Sequence, residues 1–117
     1  MKYFKFLAAL LFLIVSQTSI AGWLDTSGKV TGIVTYMGKE TILVTLSSPG
    51  VNVAECLSKN TFAISSAMSA EGRSRMYAML LSAQATGRNI TVSYNEAGSC
   101  EAWGANQNVY RRIVRLR

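Results

Sequence analysis

One stretch of this chain, Ala70–Thr86, repeats its apolar residues with the period of a helix. Every other patterned stretch beyond the N-terminal run alternates as a strand. Gly72, Met76, Met79, Leu80 and Ala83 fall on one helical face, which Tyr77 and Leu81 widen. Ser69 is a capping residue type, Glu71 suits the positive end of the helix dipole, and Gly87 is the residue type that ends helices. The Met, Tyr and Leu stripe reads as core packing.

Residues 28–37 are rich in Val, Ile, Thr and Tyr and read as a strand, with Gly32 marking a bend or bulge. After a Gly38-Lys39 turn, residues 41–47 place Ile42, Val44 and Leu46 on one face and complete a hairpin. Ser48-Pro49-Gly50 turns the chain again. Residues 53–57 read as a third strand carrying Cys56, and residues 60–64 extend it or form a short edge. Residues 89–94 give a fourth strand, and 95–108 a loop holding Cys100, Glu101 and Trp103. Residues 109–116 give the fifth. The order is β-β-β-α-β-β, mainly β with one helix. That is the order of a five-stranded OB-fold barrel. A ferredoxin-like fold needs a helix after its first strand, where no helical period exists.

The N-terminus reads as a secretory signal peptide. Lys2 and Lys5 precede an unbroken apolar run over residues 6–15, and Ser19-Ile20-Ala21 is a small-x-small cleavage site. The run is too short for a membrane span, which takes about 20 apolar residues. Residues 1–21 are therefore expected to be removed, leaving residues 22–117 as a single OB-fold-like domain with no span. The leader takes two of the 12 basic residues and none of the 6 acids, so the net charge falls from +6 to +4. The expected location is secreted or periplasmic. Two cysteines in an exported domain most simply pair, as Cys56–Cys100. Closing a loop of that length stabilises by about 4 kcal/mol in the chain-entropy model.

Composition narrows the function. Half the residues are apolar and 15% are charged, which excludes a disordered chain. The chain has no His, the commonest general base and metal ligand. Asp25, Glu40, Glu55, Glu71, Glu96 and Glu101 are scattered singly, so no metal site, catalytic centre or cofactor is expected. Glu96 and Glu101 flank the expected disulfide and read as solvated loop carboxylates rather than a glycosidase pair. No nucleotide or hydrolase fingerprint occurs. Asn89-Ile90-Thr91 is an N-glycosylation sequon within a predicted strand.

Two features invite a binding role. The last strand carries Arg111, Arg112 and Arg115, either a solvated edge or an anion site of the kind that binds single-stranded nucleic acid. Export makes nucleic acid a poor target. Trp103 either packs on the disulfide or forms a stacking floor for a sugar.

Short motifs also resemble the binding subunits of subtilase cytotoxin and of pertussis-like and typhoid-type toxins. The matching features are Thr31-Gly32-Ile33-Val34, Cys56, Phe62-Ala63-Ile64 and the helix core from Met76 to Ala83. Gly87, residues 90–94 and Cys100 continue them. The stretch from Cys100 to Gly104 and the segment from Arg73 to Tyr77 look closer still to small secreted proteins of marine gammaproteobacteria that carry no assigned activity. The toxin resemblance implies a secreted OB-fold that forms a homopentamer and binds glycans. Thr31 stands where those subunits use a Ser against the sugar. The aromatic-rich loop that completes their site is shorter here. The expected ligand contacts are Thr31, Tyr36, Tyr94 and Trp103. The leading expectation is a non-catalytic module for a glycan or protein partner. The alternatives are a small monomeric envelope protein, such as an inhibitor or stability factor, and an exported nucleic-acid binder.

Overall fold

A computed structural model describes residues 22–117. The expected leader lies outside them. The described chain is mainly β with one helix. Its elements are β1 (Trp23–Gly28), β2 (Val30–Val34), β3 (Ile42–Leu46), β4 (Thr61–Ile64), α1 (Ala70–Thr86), β5 (Ile90–Asn95), β6 (Cys100–Trp103) and β7 (Asn106–Leu116). No helix among the described residues is long and apolar enough to cross a membrane.

The helix follows the sequence pattern closely. Ser69 caps it, its Oγ accepting from the Gly72 amide at 3.1 Å, and Gly87 ends it in the left-handed conformation. The buried stripe is narrower than expected. Leu80 and Ala83 are buried and Met76 and Met79 pack partly against the core, whereas Leu81 is exposed.

The seven strands form one open sheet in the order β1-β5-β7-β4-β3-β2, with β6 paired to β7 off this path. All pairs are antiparallel except β4 with β7. The eleven-residue β7 is the common rail: its first part ladders with β6, its last part with β5, and its other edge with β4. β1 and β2 stand at opposite ends of the order, yet only Lys29 separates them in the chain. There the Lys29 carbonyl accepts from the Ser47 amide and the Lys29 amide donates to Ser47 Oγ, both at 2.9 Å.

Three departures from the expected strands have local causes. Residues 53–57 are not a strand. Cys56 N–H donates to the Val53 carbonyl in a turn, and β4, the expected extension or edge, sits inside the sheet between β3 and β7. The loop expected over 95–108 contains β6 and the start of β7. A strand not foreseen, β1, buries only Thr26 and Gly28, so it carries no apolar alternation.

Bulges also reset which side chains point inward. Between Val30 and Gly32 the β2–β3 register shifts, so Val30 and Ile33 face the core while Val34 and Tyr36 are exposed. Gly32 is the residue this bend needs, because a Cβ there would stand 2.7 Å from Thr45 Oγ1. On β7, Tyr94 pairs with Ile113 but Ser93 with Arg115. Arg111 and Ile113 therefore face inward, and Leu116 takes over the inward role beyond the bulge.

The core gathers Val44, Phe62, Ile64, Leu80, Ile90, Val92 and Tyr94, all essentially without exposed surface. The disulfide Cys56–Cys100 is formed, with Cα atoms 5.6 Å apart, and both cysteines are buried in this cluster.

Candidate functional site

The β6–β7 hairpin turns at Gly104, whose φ of 60° suits a residue without a Cβ. The turn sets Trp103 opposite Asn106 and Glu101 opposite Tyr110. Trp103 meets Tyr110 edge-on with ring centres 5.7 Å apart. It also meets Tyr36, from the β2–β3 loop, at 5.3 Å. Lys39 of the same loop places Nζ 4.9 Å from the Trp103 ring centre, within cation–π range. Tyr36 is half exposed, and Asn106, opposite Trp103, and Asn108 are exposed on the strand that carries Tyr110. The result is a surface of aromatic faces and edges flanked by carboxamides and one ammonium.

Glu101 holds this surface in place. It is buried, and its two oxygens accept from the Thr41 hydroxyl (2.7 Å), the Ser65 hydroxyl (2.8 Å), the Ser66 amide and hydroxyl (both 2.8 Å) and Arg112 Nε (2.8 Å). Burial alone would raise its pKa, but the Ser66 amide, Thr41, Arg112 and the Ser66 hydroxyl outweigh it and lower the value to about 2. The expectation of a solvated carboxylate is thereby corrected. Thr41 closes the loop that carries Tyr36 and Lys39, so the loop is tied to the hairpin through Glu101. A second tie runs from Glu40 of that loop to Arg73 of α1, at 3.2 Å. Glu96 is exposed.

Of the expected ligand contacts, Tyr36 and Trp103 come together. Thr31 sits on the β2 bulge, its hydroxyl bonded to Thr45 Oγ1 at 3.1 Å, and makes no ring contact with the cluster. Tyr94 is not at the surface. It is fully buried against Phe62, and its hydroxyl donates to the Val51 carbonyl at 2.9 Å.

The basic strand divides among three structural roles. Arg111 is buried. Its Nη1 donates to the Pro49 and Val51 carbonyls (2.6 and 3.2 Å) and its Nη2 to the Lys59 carbonyl (3.0 Å). Its guanidinium lies 4.0 Å from the Phe62 ring centre. Burial lowers its pKa, against the opposing influence of Tyr94. Arg112 pairs with Glu101. Arg115 and Arg117 both reach Asp25, at 3.8 and 3.3 Å. The Ser93 hydroxyl bonded to Asp25 is the main cause of that carboxyl's lowered pKa; burial opposes it, and Arg117 and Arg115 add to it. Arg111, Arg112 and Arg115 thus do not form one open anion surface.

Lys39, Tyr110 and the anchoring role of Glu101 were not foreseen. Trp103 and Tyr110 straddling Gly104 was the available hairpin signal. Among the described residues no group of three or more His, Cys, Asp or Glu side chains is placed to hold a metal ion. Comparison with protein-family models, curated proteins and solved structures finds no match to this chain, so none of them links it to the toxin subunits.

Proposed function

We propose that this chain is a secreted or periplasmic, non-catalytic binding module of OB type that holds a glycan on the Tyr36–Trp103–Tyr110 surface. The observation that carries the reading is that cluster of three contacting rings, with Lys39 and exposed Asn106 and Asn108 beside them. Aromatic faces suit the apolar face of a pyranose ring, and carboxamides and an ammonium suit its hydroxyls.

The barrel reading is supported by β1 and β2 acting as two halves of one strand bent at Lys29, and by β5 and β6 pairing with successive stretches of β7. Counted so, five strands remain, with the third and fifth parallel, as β4 and β7 are. OB barrels take oligosaccharides and oligonucleotides on the loops after the first and fourth strands. Here the first of these loops and the hairpin turn bring Tyr36 to Trp103. The separate engagements of Arg111, Arg112 and Arg115 favour a neutral sugar surface over a nucleic-acid track. The buried disulfide is compatible with export.

A glycan array followed by calorimetry tests the reading. Binding that Trp103→Ala weakens at least about tenfold is expected. An array without any bound glycan overturns the lectin reading and leaves the aromatic surface to a protein partner. Light scattering tests the homopentamer that the toxin-subunit resemblance implies, against the monomer of the envelope-protein alternative.

A further inference from the structure

A concavity lies beside the start of α1, and none of its lining residues belongs to the aromatic cluster. The cleft encloses about 340 Å³ between Met68, Met76, Ile113 and Val114, with Ser99 and Arg112 also in its wall. It exists because the chain departs from regularity on two sides. β7 bulges at Val114, and Gly98 and Ser99 are both left-handed, with φ of 69° and 57°. A left-handed Ser is uncommon. Arg73 fixes a third side, its Nη1 donating to the Met68 carbonyl at 2.6 Å.

The lining combines two demands. Its walls are mostly hydrocarbon and thioether, which favour an apolar occupant and adapt to its shape. Its one charged group is Arg112, a third exposed. Arg112 gives only Nε to Glu101, and its two terminal amino groups have no protein acceptor among the described residues. The buried carboxylate therefore fixes the plane of the guanidinium and leaves the other side of the fork open. A planar pair of N–H donors matches a carboxylate in bidentate geometry. Because that fork is already oriented, little ordering cost remains on binding.

We propose that this cleft binds a monocarboxylate bearing an unbranched, medium-length hydrocarbon chain, with the carboxylate on Arg112 and the chain between Met68, Met76 and Val114. A cleft of about 340 Å³ lies at the small end of ligand pockets, which suits an acid of about eight carbons.

The test uses the purified, isotope-labelled protein with its disulfide intact. Sodium octanoate is expected to give saturable amide shifts at Met68, Met76, Ser99 and Val114 and to leave Tyr36 and Trp103 unmoved. Octanol, the same chain without the charge, is expected to bind at least about tenfold more weakly. Arg112→Lys keeps the charge but loses the fork, and is expected to weaken octanoate by a similar factor. Val114→Phe narrows the cleft without touching the Arg112–Glu101 pair, and is expected to weaken octanoate while the thermal midpoint holds. The proposal is overturned by an absence of saturable binding at millimolar octanoate, by equal binding of octanol, or by shifts centred on another surface. Tighter binding of N-acetyl-leucine than of octanoate overturns the acyl chain in favour of a peptide C-terminus.

Discussion

Arg111 and Arg112 are neighbours on β7 and face opposite sides of the sheet. Arg112 meets a buried carboxylate whose lone pairs are taken by hydroxyls, an amide and the guanidinium itself. Arg111 meets no carboxylate among the described residues. It sits on an aromatic ring and donates to three main-chain carbonyls of the 49–60 segment, while its Nε has no partner among the described residues. The outer side is thus a charge pair with a full set of donors. The inner side is a lone cation whose charge is spread over carbonyl dipoles and π faces. The lesson is that a buried charge can organise either side chains or backbone, depending on what surrounds it.

The sharpest way to break this contrast is at Glu101. Glu101→Ala leaves Arg112, Thr41 and the Ser65–Ser66 turn without their acceptor, and is expected to cost roughly 3–5 kcal/mol. Chemical denaturation measures that loss, and a change under about 1 kcal/mol would show that water replaces the carboxylate at little cost. Acid should find the same site. The folded pKa of Glu101, about 2, lies below its ordinary value of 4.5. The stabilisation is therefore complete above pH 4.5 and is lost as the pH falls toward 2, a total on the order of 3 kcal/mol. Denaturation midpoints across that window should slope in the parent and flatten in Glu101→Gln.

On the inner side the expected effect is smaller. Arg111→Met removes the donors from three carbonyls but also removes the cost of burying a charge, leaving a net loss of about 1–3 kcal/mol. Faster hydrogen exchange confined to the 49–60 segment would mark the release, and uniform acceleration across the sheet would argue that Arg111 supports the core instead. The smallest stability change belongs to Trp103→Ala, about 1 kcal/mol from its edge contacts. A loss of several kcal/mol by chemical denaturation would mean that Trp103 is a core residue rather than a half-buried platform.

How much of this was legible in the sequence depended on whether the information was local. The helix carries its own start and stop at Ser69 and Gly87, so its bounds could be read directly. β3 and β5 alternate strongly enough to be found. Residues 53–57 misled because Val53 and Cys56 are both buried, three positions apart, in a turn that the disulfide holds against β6. β1 escaped because its place comes from its ladder with β5, not from apolar side chains. The bulges defeated alternation on β2 and β7: the extra residue at Val114 turns Arg115 outward and Leu116 inward, so Arg111 and Arg115 do not share a face, while Tyr94 lies inward with Ile90 and Val92 by ordinary alternation on β5. Tyr36 and Trp103 could be named as contacts, since aromatic residues next to turns are a local signal. Glu101 could not be recognised as their anchor, because its partners Thr41, Ser65, Ser66 and Arg112 come from three separate stretches of chain.

The carbonyl cage around Arg111 has a consequence for what the 49–60 segment can become. A guanidinium that grips only main-chain oxygen atoms is indifferent to the side chains they belong to. Val51, Asn52, Ala54, Glu55 and Leu57 all project outward from this grip. Gly50 is fixed by the backbone, because a Cβ there would stand 2.7 Å from the Tyr94 hydroxyl, and Cys56 is fixed by its bond to Cys100. The remaining exposed positions form a display loop whose lettering can be rewritten while its shape is kept, a ready place to graft a foreign recognition sequence.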